Sequence, residues 1–255
     1  MRYLAALPPR PGMGMWPTRA VSAGEPPPPA WTPDDLPGRI FDWDAERGPI
    51  VAAGLVVEEA DQSGSNNDAL SLVDGANQPV MSTAPGLLNR TSVYYGGTAY
   101  QYTALDVIPA AYTIYFVGQA ADTAGRVFFA TGTNGGGNRF GQSVGGSDIV
   151  DWIVGNAFST DGPATSQGIS VVFSSQAGPA PGAQLWIGGV EVTLSEPNTA
   201  ALAVSGPFIF GAAVEGAASG LYLIGHRCRI IGCAGRPDLE DVARWSAWTL
   251  AEYGK

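Results

Sequence analysis

Leu185-Trp186-Ile187-Gly188-Gly189-Val190-Glu191-Val192 sets two short apolar runs on either side of a Gly-Gly pair. Glycine takes positive φ without steric cost, so the pair suits a two-residue hairpin turn and the runs read as antiparallel strands. The same grammar, short apolar runs of period two broken by Gly, Asn and Ser, extends in both directions. Upstream it predicts strands over 112–117, 126–130, 149–154 and 169–173, and downstream a last long strand over 220–231. Arg236-Pro237-Asp238-Leu239-Glu240-Asp241-Val242 then opens a helix, with proline early and acids in the first turn. Its apolar stripe is Leu239, Val242, Trp245, Trp248 or Thr249, and Tyr253, and Gly254 stops it, giving a helix over about 237–253. No period of about 20–50 residues repeats, which argues against solenoids and propellers.

Composition narrows the class further. A chain of 255 residues that is 45% apolar can bury one sizeable core. Gly 35 and Pro 20 with only 14% charged residues disfavour a helical bundle or coiled coil. With a net charge of −10, a surface that tracks phosphates would need a local basic patch that the sequence does not show, so no nucleic-acid partner is expected. No apolar run approaches the roughly 18 residues of a membrane span, and the first residues are too short for a secretion signal.

Ten of the 20 prolines fall within the first 37 residues, including Pro26-Pro27-Pro28-Pro29, which favours polyproline II and forbids a sheet interior. Residues 1–38 are therefore expected to be an extended arm, and 39–255 the sandwich. The arm carries Tyr3, Leu4, Leu7, Met13, Met15, Trp16 and Trp31, which suits docking onto a neighbour better than it suits a flexible spacer.

Three segments together resemble the concanavalin A-like, or laminin G-like, jelly-roll domains of bacteriophage virion proteins and bacterial surface proteins. Phe41-Asp42-Trp43-Asp44-Ala45 and the later Asp61-Gln62-Ser63-Gly64-Ser65-Asn66-Asn67-Asp68 are similar to the family's opening strand and its D-x-S-G-x-x-N-D loop. Ala111-Tyr112-Thr113-Ile114-Tyr115-Phe116-Val117-Gly118 resembles the central strand, preceded by Tyr94-Tyr95-Gly96-Gly97 in place of F-x-G. Residues 234–254 resemble the closing helix ending in Y-G. The resemblance implies an all-β, concanavalin A-like jelly-roll sandwich with one C-terminal helix. It also implies a non-enzymatic structural virion protein, assembled in the host cytoplasm as a homo-oligomer. The arm would anchor it to capsid or tail subunits, and an outward lectin-like domain (decoration, fibre or spike) would face host surface polysaccharide. The alternatives are a lectin or adhesin of a bacterial surface and a glycoside hydrolase.

Several clusters are candidates for chemistry. Asp42 and Asp44 alternate on one strand, as the carboxylates of a retaining glycosidase can, yet they lead into the turn Arg47-Gly48-Pro49 and read more simply as a solvated strand end. Asp61, Asn67 and Asp68 are oxygen donors that could hold Ca²⁺, and the same residue types also make self-bonded turns. Tyr94, Tyr95, Tyr100, Tyr102 and Trp152 are the candidate platforms for a sugar ring. His226 reads as a structural histidine, since no G-x-S-x-G elbow accompanies it. Residues 133–139 are a Gly-rich loop that opens no helix, so no phosphate cradle is expected. Cys228 and Cys233, five apart in the last strand, should face opposite ways about 16 Å apart and remain buried free thiols.

Overall fold

A computed structural model describes residues 31–255, leaving out 72–77, 104–108, 110, 122–125, 132–138, 143–148, 155, 162–166, 177–181, 194–206 and 213–221. Of the side chains in that range, those of 126, 131, 139–142, 149–154 and 156–161 are also left out. In chain order the strands begin with β1 Arg39–Asp44, β2 Pro49–Ala52, β3 Leu55–Glu59, β4 Ala69–Ser71, β5 Val80–Ala84 and β6 Arg90–Gly96. They continue with β7 Gln101–Thr103, β8 Ala111–Ala120, β9 Arg126–Thr131, β10 Arg139–Gln142, β11 Ile149–Val154 and β12 Asn156–Asp161. The series closes with β13 Ile169–Gln176, β14 Ala183–Ile187, β15 Val190–Val192, β16 Phe208–Phe210 and β17 Ile224–Ala234, followed by the helix α1 Leu239–Tyr253.

Every described pairing is antiparallel. One sheet runs β15–β14–β13–β8–β17, and the free edge of β17 is shared by β6 along Ile224–Arg227 and by β1 along Arg229–Cys233. The other runs β4–β7–β16–β9–β10–β11–β12. Strands β6, β5, β3 and β4 carry the ladder from one layer to the other. Between the layers Phe116 of β8 meets Phe129 and Phe210, at 6.1 Å and 5.6 Å between ring centroids, so the aromatic core is the contact of two sheets. The Gly-Gly hairpin forms as expected, with φ of 55° and 81° at Gly188 and Gly189.

The helix covers the outer face of the first sheet. Asp238 caps it by accepting from the Glu240 N–H, and Gly254 ends it at φ 71°. Val242, Trp245, Thr249 and Tyr253 are buried, whereas Leu239, expected in the stripe, is the first residue of the helix and is 67% exposed. Trp245 packs on Tyr115 at 5.4 Å, and the Thr249 hydroxyl donates to Ser170 Oγ at 2.9 Å. Trp31 and Leu36 join this same layer, and the compact unit begins at Trp31. Residues 31–38, assigned to the arm by proline content, thus belong to the sandwich, because two apolar side chains have a cluster of their own chain to pack on. The other arm residues, Tyr3, Leu4, Leu7, Met13, Met15 and Trp16, lie outside the described residues.

Strand β17 contains a bulge. Arg227 pairs with Gly118 and Arg229 with its neighbour Val117, so Cys228 is the extra residue. One extra residue reverses the alternation, and Cys228, Ile231 and Cys233 all enter the helix-side layer. The expectation that the cysteines face opposite ways is therefore corrected. Both are free and buried, and burial pushes each thiol up to about 12.

The bulge also points two arginines to opposite sides of the sheet. Arg227 faces the core, where it is fully buried and forms a two-pronged ion pair with Glu59, one contact at 3.1 Å. Its Nη1 also donates to the Trp43 carbonyl at 2.9 Å. Burial pushes the Glu59 carboxyl pKa up and the guanidinium opposes it; burial pulls Arg227 down, but the attraction of Glu59 leaves it above its usual range. Arg229 faces outward and grips Asp42 through Nε at 3.0 Å and Nη2 at 2.7 Å, and Asp34 at 2.7 Å. A hydrogen bond from Arg47 is the main cause that holds the Asp34 carboxyl well below the carboxylate range.

Removing one partner of a buried pair leaves the other charge uncompensated. Glu59→Gln is expected to lower the unfolding free energy by about 3–5 kcal/mol in urea titrations, whereas a loss under about 1 kcal/mol would contradict this reading of the pair.

Candidate functional site

The outer face of the first sheet carries a row of polar and aromatic side chains beyond the part covered by α1. His226 of β17 pairs with Tyr94 of β6 on one side and with Gln119 of β8 on the other. Outward and inward alternate along β6, so Val93 and Tyr95 enter the core and Ser92 and Tyr94 share the face of His226. The Tyr94 ring is half-buried, 4.9 Å from the imidazole and tilted by 48°. Ser92 Oγ lies 3.0 Å from His226 Nδ1, a contact between residues 134 apart in sequence. Gln119 Oε1 accepts from the Gly86 N–H at 3.0 Å, fixing its side chain below the 3₁₀ turn Pro85–Leu87. Tyr94 alone of this row is more than marginally exposed: Ser92, Gln119 and His226 are buried, and the hydroxyl and the carboxamide are engaged in the bonds just given.

The other expected sugar platforms separate sharply. Tyr95, next to Tyr94, is buried: its hydroxyl bonds Gln101 and receives Arg227 Nε at 3.3 Å, so it is part of the core. Tyr100 is also buried, against Ile209 and Ala212, because it faces a satellite cluster under the second sheet's outer side. Tyr102 is half-buried, 6.2 Å from Tyr100. The side chain of Trp152 lies outside the described residues.

Asp61 builds a turn. Its Oδ1 accepts from the backbone N–H of Asp42 and of Ser63, both at 2.8 Å, and its Oδ2 accepts from Ser63 Oγ at 2.7 Å and Asn67 N at 3.0 Å. Four donors fill the acceptor positions of one carboxylate. Asp68 accepts from the Asp61 N–H at 2.8 Å, and only Asn67 Oδ1 of this trio is buried without a partner. This arrangement does not fit a Ca²⁺ seat built on Asp61, and no group of three or more His, Cys, Asp or Glu suited to a metal occurs among the described residues.

The alternating carboxylates are likewise engaged. Asp42 is buried and held by Arg229 and by Arg39 at 2.9 Å; Asp44 accepts from Arg47 Nε at 2.7 Å and from the Glu46 N–H at 2.9 Å. The solvated strand end expected here is in fact a buried ionic cluster, since Arg229 reaches it from β17.

No family model and no curated protein matches the chain. Among solved structures, domain 4 of AbnA, a GH43 extracellular arabinanase from Geobacillus stearothermophilus in complex with arabinotriose, is similar at 11% identity and TM-score 0.59. The match covers 82% of this chain and 98% of that domain. An arabinofuranosidase complexed with arabinofuranosyl-α-1,2-xylobiose is similar at 11% identity and TM-score 0.57, covering 85% of this chain and 60% of that one. A botulinum neurotoxin type C structure, from a toxin whose cell entry depends on interaction with two ganglioside molecules, is similar at 11% and 0.55, covering 83% and 51%. The chain thus spans one half to three fifths of the last two. The likeness shows the fold, a β-sandwich, and none of the three is a virion protein.

Burial lowers the His226 pKa, which makes the imidazole harder to protonate in the folded chain than in the unfolded one. For such a base, stability is level above the unfolded value of about 6.5 and falls as pH drops below it toward the folded pKa. His226→Gln is expected to remove that decline from the pH dependence of the urea midpoint below pH about 6.5, and an unchanged profile would contradict the burial argument.

Proposed function

We propose that the sandwich is a non-catalytic carbohydrate-binding domain that seats a sugar ring on Tyr94, beside His226. The observation that carries this reading is the half-buried Tyr94 ring, set 4.9 Å from the buried His226 imidazole on the outer face of the sheet. A partly exposed aromatic ring receives the C–H side of a sugar, and the imidazole packed beside it, itself bonded to Ser92, holds that ring in position. Two similar folds bear on it: one was solved with arabinotriose, and one belongs to a toxin whose entry depends on gangliosides. Catalysis at Asp42 and Asp44 is disfavoured because a glycosidase needs two carboxyl groups that flank a bound sugar, and both side chains here are buried and occupied by arginines.

The proposed carrier is a bacteriophage virion, with the segment before Trp31 as the anchor to other virion subunits and homo-oligomerisation at that attachment. Its support is the family resemblance together with the apolar, proline-rich composition of residues 1–30.

Binding to a panel that includes arabinotriose and ganglioside oligosaccharides is the test, read by calorimetry with parallel reducing-sugar assays. Wild type is expected to bind without releasing sugar, and Tyr94→Ala to weaken binding at least about tenfold, while Tyr102→Ala leaves it unchanged. No binding across the panel, or binding that survives Tyr94→Ala, would overturn the reading. Deletion of residues 1–30 is expected to abolish particle association and leave glycan binding intact.

A further inference from the structure

The solvent side of α1 is not uniformly polar. Leu239, Ala243, Ala247 and Leu250 are all exposed, and at 3.6 residues per turn they fall within an arc of about 80°, apart from the arc of the buried Val242, Trp245, Thr249 and Tyr253. The two leucines are 67% and 64% exposed. Leu88, 63% exposed, joins this strip at its C-terminal end, since its side chain comes within 3.6 Å of where a Cβ on Gly254 would stand. Three of the six exposed large apolar side chains among the described residues therefore lie along one helix, which marks a contact surface and not scattered exposure.

The backbone at Leu88 points the same way. Its φ of 54° lies in the left-handed region, which is unfavourable for a bulky side chain and which glycine or asparagine would occupy more easily. A leucine in that conformation with its side chain in water gains little from its own chain, and a contact outside the chain accounts for it.

The chemistry of the strip fits a second copy of this chain. Leu-Ala-Ala-Leu at spacings of four, four and three reads nearly the same in either direction, so a two-fold axis at its middle sets leucine ends on leucine ends and alanines on alanines. Alanines at the crossing let two helices approach closely, to about 8 Å between axes. The strip itself carries no charge, and on one border Glu240 and Arg244 neutralise each other at 2.5 Å. Two chains of net charge −10 thus meet across a neutral strip, whereas an anionic lipid surface would be repelled.

We propose that the outer flank of α1, together with Leu88, is the interface of a symmetric dimer. A helix of 15 residues is about 22 Å long, which makes the strip smaller than a standard interface, so the dimer is a weak one that forms as concentration rises. Dimerisation at this strip is independent of what Tyr94 binds.

Sedimentation velocity of the full chain over a wide concentration range is the test. The wild-type mass is expected to rise twofold with concentration, and Leu250→Glu to weaken that association at least about tenfold. Leu88→Asn is expected to weaken it too while raising the urea midpoint, because asparagine accepts the left-handed backbone. Ile50→Glu, at an exposed apolar position of β2 outside the strip, is expected to leave association unchanged. A mass that does not change with concentration, association that Leu250→Glu retains, or association that Ile50→Glu also abolishes overturns the proposal. If the wild type stays monomeric and floats with phosphatidylcholine vesicles, and Leu250→Glu does not, the strip belongs to a lipid surface and the dimer is refuted.

Discussion

A guanidinium cannot remain in an aromatic core unless its charge is matched, and that requirement organises the N-terminal third of this sandwich. Taking one such ion out of water costs several kcal/mol, offset only by close, multiply bonded partners. Arg227 meets the requirement with Glu59, the Trp43 carbonyl and the Tyr95 hydroxyl, residues drawn from three other strands. The pair therefore fixes where β3 and β1 cross the end of β17, and the Phe210 ring lies 5.6 Å under the guanidinium.

The bulge at Cys228 makes the second half of the arrangement. Without the extra residue, Arg227 and Arg229 would point the same way, and the core would have to hold two cations. With it, Arg229 turns to the outer face, against the Trp248 ring at 5.6 Å and the acids Asp42 and Asp34. Asp34 ties the entry segment down, so that Trp31 and Leu36 complete the helix-side layer. On the near side of the bulge the alternation is undisturbed, and His226 stands outward between Tyr94 and Gln119. The candidate binding face is thus a by-product of the same strand that carries the buried charge.

Much of this was readable from periodicity. The Gly188-Gly189 hairpin, the strands at 112–117 and 169–173 and the capped helix follow local rules, and the structure places them within a few residues of the expected bounds. The cysteine geometry was not readable, because a bulge in β17 depends on how Gly118 of another strand receives it. Tyr94 and Tyr95 show a different limit. Adjacent aromatics on a strand must face opposite ways, yet both are large and apolar enough for the core, so composition cannot say which is inside. Glu59 and Arg227, 168 positions apart, each look like a surface charge until the sheets are assembled. The carboxylates of β1 misled for the same reason, as their partner Arg229 lies 187 residues away from Asp42.

His226 is the only histidine in the chain, so its imidazole is a single-site reporter at the centre of the proposed face. The most direct test is to record its ring resonances by NMR during titration with arabinotriose and with ganglioside oligosaccharide. The account predicts that the His226 signals move in step with saturation for whichever sugar binds. Saturable binding that leaves the imidazole signals unmoved would contradict the assignment of this face as the glycan site.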